Sequence, residues 1–473
     1  MLFISLFVIF AVIFLIAFQH IFSVSKSPGK EKIPGARPSN SRDGNKPDIA
    51  AAGNIHNYLL DLHGKYGPLA SFWYGPKYVV SIASPELFME HHVRMTSNRP
   101  PDMMEMLGIL FGSNAIQFAK TDDAIRRREL YDHTLRHETL THFYPTFNKV
   151  ARETVQALSG IPEGTRIPLV HHCIDMSIKG IVRTCFGDYF KTEEAVDHLR
   201  EVWTACWNEL ELLQIKGPPK PGSKRDKTFK KDLASIKTLG PKMIQHRRDN
   251  PCFLEYQTFI DALLEDELPE EQMHDDCVGF LIGGLQTVGI WTFWALYFLA
   301  SSPDCQEKLY LNVIEAVGQG DVEDMNHEDL RYVGQVIKET LRLSVLSTYT
   351  CRYHDDDFEL AGHVLKAGTT TVHAIGVVME DPVLWPDPSK FDPERFDIHR
   401  MTARQKRAFK PFGFAGQRTC PGQHFAKLEA AVFIAVLCRA FKFRLVKGQS
   451  VKKNYGLITR PDCEVWVTLE KRK

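Results

Sequence analysis

Cysteine pairs are missing first: none of the ten cysteines forms a C-x-x-C. A disulfide framework and a zinc site are therefore not indicated, and a reducing compartment fits best. Net charge is missing too. The 58 Lys and Arg balance the 58 Asp and Glu, so charge implies no nucleic-acid partner. No internal repeat recurs, and strand patterns are few and short beyond residue 82. What remains is a 473-residue chain, 44% hydrophobic and long enough for a large core.

Charge is also absent along two stretches. No acidic or basic side chain precedes Lys26, and residues 2–18 hold fourteen Leu, Ile, Val and Phe. At a few tenths of a kcal/mol each, these favour insertion by about 6 kcal/mol. The length suits a helix across a bilayer. A cleaved signal peptide would need a basic n-region, a shorter apolar core and a small-residue cleavage site, none of which is evident. The expectation is an uncleaved anchor over 1–25. Lys26, Lys30, Lys32, Arg37 and Arg42 follow it, which puts the main domain on the cytosolic side. The second uncharged stretch, 277–303, holds four glycines, Gln286 and Thr287, and acids bracket it at Asp275, Asp276 and Asp304. That polar centre favours a helix through the middle of a large domain over a second membrane span.

Residues 26–48, with Ile33-Pro-Gly-Ala-Arg-Pro38, form a stiff linker, and one domain follows over 49–473. Ser71–Ile82, aromatic and β-branched around Gly75-Pro76, predicts a β-hairpin. Helical periodicity covers 126–137, 193–213, 226–247, 275–301, 303–317 and 327–343. The fold class is mainly α with a small β region. Gly217–Lys224 has the wrong order for a phosphate loop, and its three prolines remove amide donors. His133 and His137 are placed on one helix face, without the glutamate of a zinc-protease motif.

The densest chemistry lies in Phe412-Gly-Phe-Ala-Gly-Gln-Arg-Thr-Cys420-Pro-Gly422. Gly413, Gly416 and Gly422 let backbone approach a flat ligand, and Arg418 sets a cation two residues before the sulfur. A helix-forming run starts just after, so Cys420 faces the free N–H groups of a helix N-terminus, a field that favours thiolate. Taken alone, the cysteine reads more readily as a buried structural thiol, the commoner fate of an intracellular cysteine.

Glycine, arginine and cysteine at these spacings resemble the haem-binding loop of the cytochromes P450. Glu339-Thr-Leu-Arg342 and Pro393-Glu-Arg395-Phe396 precede it in the order and spacing of two further motifs of that family. The resemblance implies a cytochrome P450 fold behind one N-terminal transmembrane helix. It also implies haem with Cys420 as axial ligand, cradled by Arg418, Phe412, Gly416 and Gly422, and a buried ion triad of Glu339, Arg342 and Arg395. Arg128 matches the family's propionate-binding arginine, although Ala124 stands where a tryptophan is usual. Gly283-Gly-Leu-Gln-Thr287 resembles the distal-helix pattern, with Thr287 the hydroxyl that helps deliver protons. The similarity runs along nearly the whole chain. Within it, Asp43–Asp48 and Leu62–Gly75 look like the amino-terminal block of the orphan family 20 branch.

Three residues depart from the pattern. The family's aromatic position before the loop is Gly413, flanked by Phe412 and Phe414. Pro421 has no N–H to give the sulfur, which favours a low iron potential. Gln286 replaces an acid and cannot ionise, so one proton route weakens and peroxide leakage rises. The resemblance implies a membrane-anchored monooxygenase acting on a small lipophilic substrate, with its catalytic domain on the cytosolic face of the endoplasmic reticulum. Its partners would be the bilayer, an NADPH-dependent flavoprotein reductase and, as a second candidate donor, cytochrome b5. The 53 residues after Cys420 leave no room for a fused reductase. Arg126, Arg127, Lys410 and Lys427 are candidate contacts for an acidic partner. Two alternatives stand: an isomerase or dehydratase needing no external electrons, and a haem sensor without turnover.

Overall fold

The computed structural model describes residues 32–93, 98–100, 107–251, 255–266, 268–323, 329–413 and 419–472. The anchor expected over 1–25 lies outside them. So do Phe414, Gly416 and Arg418.

Helices dominate. The longer ones are α1 (Ile55–Tyr66), α2 (Pro85–Val93), α3 (Thr121–Thr134), α4 (Tyr144–Ser159), α5 (Leu169–Cys185), α6 (Glu193–Lys216), α7 (Lys224–Lys237) and α8 (Leu239–Asp249). They continue with α9 (Glu270–Leu285), α10 (Thr287–Ser301), α11 (Pro303–Val317), α12 (Arg331–Ser344) and α13 (Gln423–Ala440).

The strands form small sheets. β1 (Leu69–Tyr74) and β2 (Lys77–Ile82) make the expected hairpin, pairing Tyr74 with Lys77 across a turn where Gly75 takes φ +63°. A two-residue hairpin turn needs positive φ, which glycine adopts without strain. The sheet runs β1-β2-β7-β4, with β4 (Thr350–Tyr353) and β7 (Thr370–His373). A second sheet joins β3 (Ile167–Pro168), β11 (Trp466–Lys471) and β8 (Phe441–Leu445). Two-stranded pieces are β5 (Phe358–Leu360) with β6 (His363–Leu365), and β9 (Lys453–Tyr455) with β10 (Thr459–Pro461).

The main core gathers around α10, whose residues from Val288 to Leu299 are almost all buried. Trp291 and Trp294 are enclosed, and each spends its indole N–H on a carbonyl, Ile337 at 3.0 Å and Thr459 at 2.9 Å. The span Glu270–Ser301 is long and apolar enough to cross a membrane, yet 78% of its most apolar window is buried inside the protein. Its hydrophobicity serves the core.

Three expectations need correction. Periodicity over 226–247 predicts one helix, but it divides at Thr238, after which Gly240 lies so close to His274 that an added Cβ would sit 2.6 Å from that residue's carbonyl oxygen. His133 and His137 do not share a helix: α3 ends at Thr134, whose hydroxyl takes the Tyr131 carbonyl at 2.9 Å. The stretch 275–301 is not one uninterrupted helix, and its break falls at the site.

Candidate functional site

Cys420 stands just ahead of α13, with Gly422 as the residue that opens the helix. Its amide donates to the Phe412 carbonyl at 3.0 Å, which closes the described ends of the loop onto each other. The Phe412 ring lies 5.9 Å from Trp291 on α10, with the Lys427 ammonium 5.2 Å from its centroid. Gly413 adopts φ +94°, which a side chain would strain. Cys420 is exposed as a residue, although protein surrounds its thiol.

The charge state of that thiol differs from the expectation. Burial pushes its pKa above the ordinary thiol value, while the Gly422 N–H and the Arg128 and Arg99 guanidiniums pull it back. Desolvation outweighs the helix-end field, so thiolate here calls for an added positive partner such as a metal ion. The amide lost at Pro421 is compensated one residue later: Gly422 donates to the sulfur.

Arg128 reaches the loop from α3. It donates to the Thr419 carbonyl at 2.7 Å and pairs with Asp132 at 2.9 Å. Arg99 is the cation near the sulfur that sequence reading passed over; Asn98-Arg-Pro-Pro101 offers no periodic signal. Arg127 corrects another expectation. Only 2% exposed, it binds Asp276 at 2.9 Å, Asp123 at 2.7 Å and the Asn114 carbonyl at 2.8 Å. It is interior wiring between α3 and α9 and faces no partner. Arg126 remains half-exposed, paired with Asp123 and Asp266.

Further along the chain α9 gives way to α10 at Gln286. The Thr287 hydroxyl donates to the Gly283 carbonyl at 2.7 Å. A hydroxyl competing for an i−4 carbonyl loosens the backbone ladder and bends a helix. Gly283 is exposed in the midst of this buried span, and a side chain added there would meet nothing within 4 Å. Gln286 is buried, and its Oε1 has no hydrogen-bond partner among the described residues.

Below the loop, Glu339 and Arg342 on α12 are wholly buried and joined by two bonds of 2.7 and 2.8 Å. Arg395 reaches Glu339 at 3.2 Å, and the Asp392 amide adds 3.0 Å. Arg342 also binds the carbonyls of Met379, Pro388 and Lys390. Every charge therefore has a partner, which buried ions require. The geometry brings all three residues to one point.

Cys420 at a helix end, with two guanidiniums acting on its thiol, suits an anionic, metal-bearing ligand. The comparisons agree. The cytochrome P450 family model matches residues 34–464. The chain belongs to the cytochrome P450 family. It is similar to cytochrome P450 20A1 of Rattus norvegicus, 30% identical over 469 residues, which cover 98% of this chain and 99% of that one. The Homo sapiens 20A1 is 28% identical over 471 residues, again 98% and 99%. Cytochrome P450 4V2 of Homo sapiens is 33% identical over 230 residues, 46% of this chain and 43% of that one. As a P450, the chain is an oxidoreductase of the monooxygenase type, with haem held through a cysteine thiolate.

Proposed function

We propose that this chain is a membrane-anchored P450 that places one atom of dioxygen into a small lipophilic substrate, with Cys420 as the ligating thiolate. The supporting observation is Cys420 at the head of α13, exposed as a residue, with the Gly422 N–H, Arg128 and Arg99 acting on its thiol. Haem bound there supplies oxygen activation and one-electron chemistry. Arg128, with Arg418, balances the carboxylates of such a ligand, and Phe412, Gly416 and Gly422 shape the loop around it. The Glu339–Arg342–Arg395 triad stiffens the layer beneath.

Thr287 is the proton-handling hydroxyl. Its donation to Gly283 leaves its lone pairs free to accept a hydrogen bond from water. Gln286 can hold a water by its orphan Oε1 but cannot ionise, which slows proton delivery. That amide also favours a second reading, an isomerase or dehydratase independent of external electrons.

Electrons come from a separate NADPH-dependent flavoprotein reductase or from cytochrome b5. Lys427 lies beside the sulfur loop, its ammonium 5.2 Å from the Phe412 centroid. With Lys410 it offers positive charge that an acidic partner would meet. The apolar run at 2–18 tethers the chain to the endoplasmic reticulum, with the domain in the cytosol.

The test is reconstitution of the full-length holoprotein in lipid with a reductase. NADPH-dependent dioxygen uptake coupled to an oxygenated product is expected. Conversion of a hydroperoxide without NADPH, and none with it, would establish the isomerase reading instead.

A further inference from the structure

One buried carboxylate ties three separate parts of the chain together. Asp276 on α9 is wholly buried. Its Oδ1 accepts the Ile116 amide, while its Oδ2 accepts Arg127 at 2.9 Å and the Tyr131 hydroxyl. Arg127 and Tyr131 stand one turn apart on α3, so Asp276 grips a single stripe of that helix at two levels. Asp123, one turn earlier on the same stripe, holds Arg127 at 2.7 Å. The Tyr131 ring meets Phe259 and Phe280 edge-on, each at 5.1 Å, and Phe280 lies one turn past Asp276 on α9.

The neighbouring stripe of α3, about 100° round the axis, carries Arg128 and Asp132. Asp132 takes Arg128 Nε at 2.9 Å and Nη2 at 3.0 Å, and Nη1 donates to the Thr419 carbonyl at 2.7 Å. This fork fixes the guanidinium relative to α3. Where it meets the sulfur loop then depends on how α3 is rolled. At the ~5–6 Å radius of the side-chain shell, a roll of about 10° moves it by about 1 Å. A bond stretched that far is lost. Buried ion pairs add little net stability over apolar packing, so stability alone does not account for a wholly buried carboxylate at this place.

We propose that Asp276 and Tyr131 are positioning residues for the ligand at Cys420: by fixing the roll of α3 they aim Arg128 at the sulfur loop. The inference rests on the haem-thiolate reading above and extends its machinery to the first half of α9. Both residues act through Arg128. Arg127 supplies the counter-charge that lets Asp276 stay ionised while buried. Groups that orient the partners of a metal site govern how tightly it is held.

The test measures haem release from full-length holoprotein in lipid to excess apomyoglobin, after a check for the thiolate-type Soret band of the reduced carbon monoxide complex. Absence of that band in wild type would remove the haem-thiolate reading and this proposal with it. With the band present, Tyr131→Phe, which deletes one hydroxyl and keeps the ring, is expected to release haem about ten-fold faster, the scale of outer partners of a metal site. In an Arg128→Gln background the same change is expected to alter release by less than about two-fold, because the residue it acts through is gone. Should Arg128→Gln take up no haem, Arg128→Lys, which keeps the charge and loses the planar fork, replaces it in the cycle with the same expectation. A hydroxyl serving stability alone would speed release equally in both backgrounds. That result, or unchanged release in Tyr131→Phe, would overturn the proposal while leaving the haem-thiolate reading in place.

Discussion

At the scale of single residues, the charges that matter are those removed from water. Glu339 and Arg342 are wholly buried, and Arg395 is nearly so. Glu339→Gln leaves two guanidiniums short of a counter-charge, so a loss of about 3–5 kcal/mol is expected in chemical denaturation; a loss under about 1 kcal/mol would contradict the triad's role. The spacing of Glu339, Arg342 and Arg395 was legible in the sequence because its pattern is local and ordered. The interior place of Arg127 was not, since its partner Asp276 lies 149 positions away and an arginine among polar neighbours reads as surface. The thiol field at Cys420 was read from the helix end alone, and burial reverses its sign. Gln286 yields a second expectation: Gln286→Glu, restoring an ionisable group, lowers peroxide released per NADPH consumed. Unchanged peroxide yield would show that the amide is no bottleneck.

At the scale of elements, the glycines of α9 and α10 divide by what lies opposite them. A Cβ on Gly289 would come 2.8 Å from the Ile174 backbone of α5, whereas one on Gly283 meets nothing. Gly289→Ala is therefore expected to lose about 1–3 kcal/mol through overpacking. Gly283→Ala gains about 0.5–1 kcal/mol from helix propensity while weakening ligand binding. Denaturation midpoints check the order, and equal shifts would contradict the packing account. Hydropathy found this helix without its break, because a hydroxyl competing for a carbonyl leaves no periodic trace. The hairpin β1–β2 was legible for the opposite reason: its turn chemistry and its alternation are both local.

A third kind of assembly joins elements far apart in the chain. His91 on α2 bridges His354 at 2.9 Å and His373 on β7 at 2.8 Å, all three buried. Burial, then His354, Arg352 and His92, lower the His91 pKa to about 3 from 6.5. Thr371 approaches His91 at 3.4 Å, and the His354 and His373 pKa values are also depressed, chiefly by burial. A base whose folded pKa lies below its unfolded value binds protons first in the unfolded chain. Stability from His91 is thus whole above pH 6.5 and falls as pH drops towards 3, by at most about 1.4 kcal/mol per unit. The stability difference between wild type and His91→Gln, which cancels the shared carboxylates, is expected to move against wild type from pH 6.5 to 5. A constant difference would mean that His91 is already protonated when folded.

At the scale of the whole molecule, helices enclose a central span that hydropathy alone would assign to a membrane, and small sheets flank it. Composition and periodicity gave the mainly helical class, and three ordered motifs gave the family; loop 112–119, held to Asp275 and Asp276, was not legible because neither periodicity nor motif speaks there. The proposed function turns on one bond, between the sulfur of residue 420 and iron. The most direct measurement is the carbon monoxide difference spectrum of the reduced protein beside that of Cys420→Ala. Wild type is expected to give the thiolate-type Soret band, and Cys420→Ala to lose it while keeping its far-ultraviolet helical signal. The same band in both proteins would contradict the assignment.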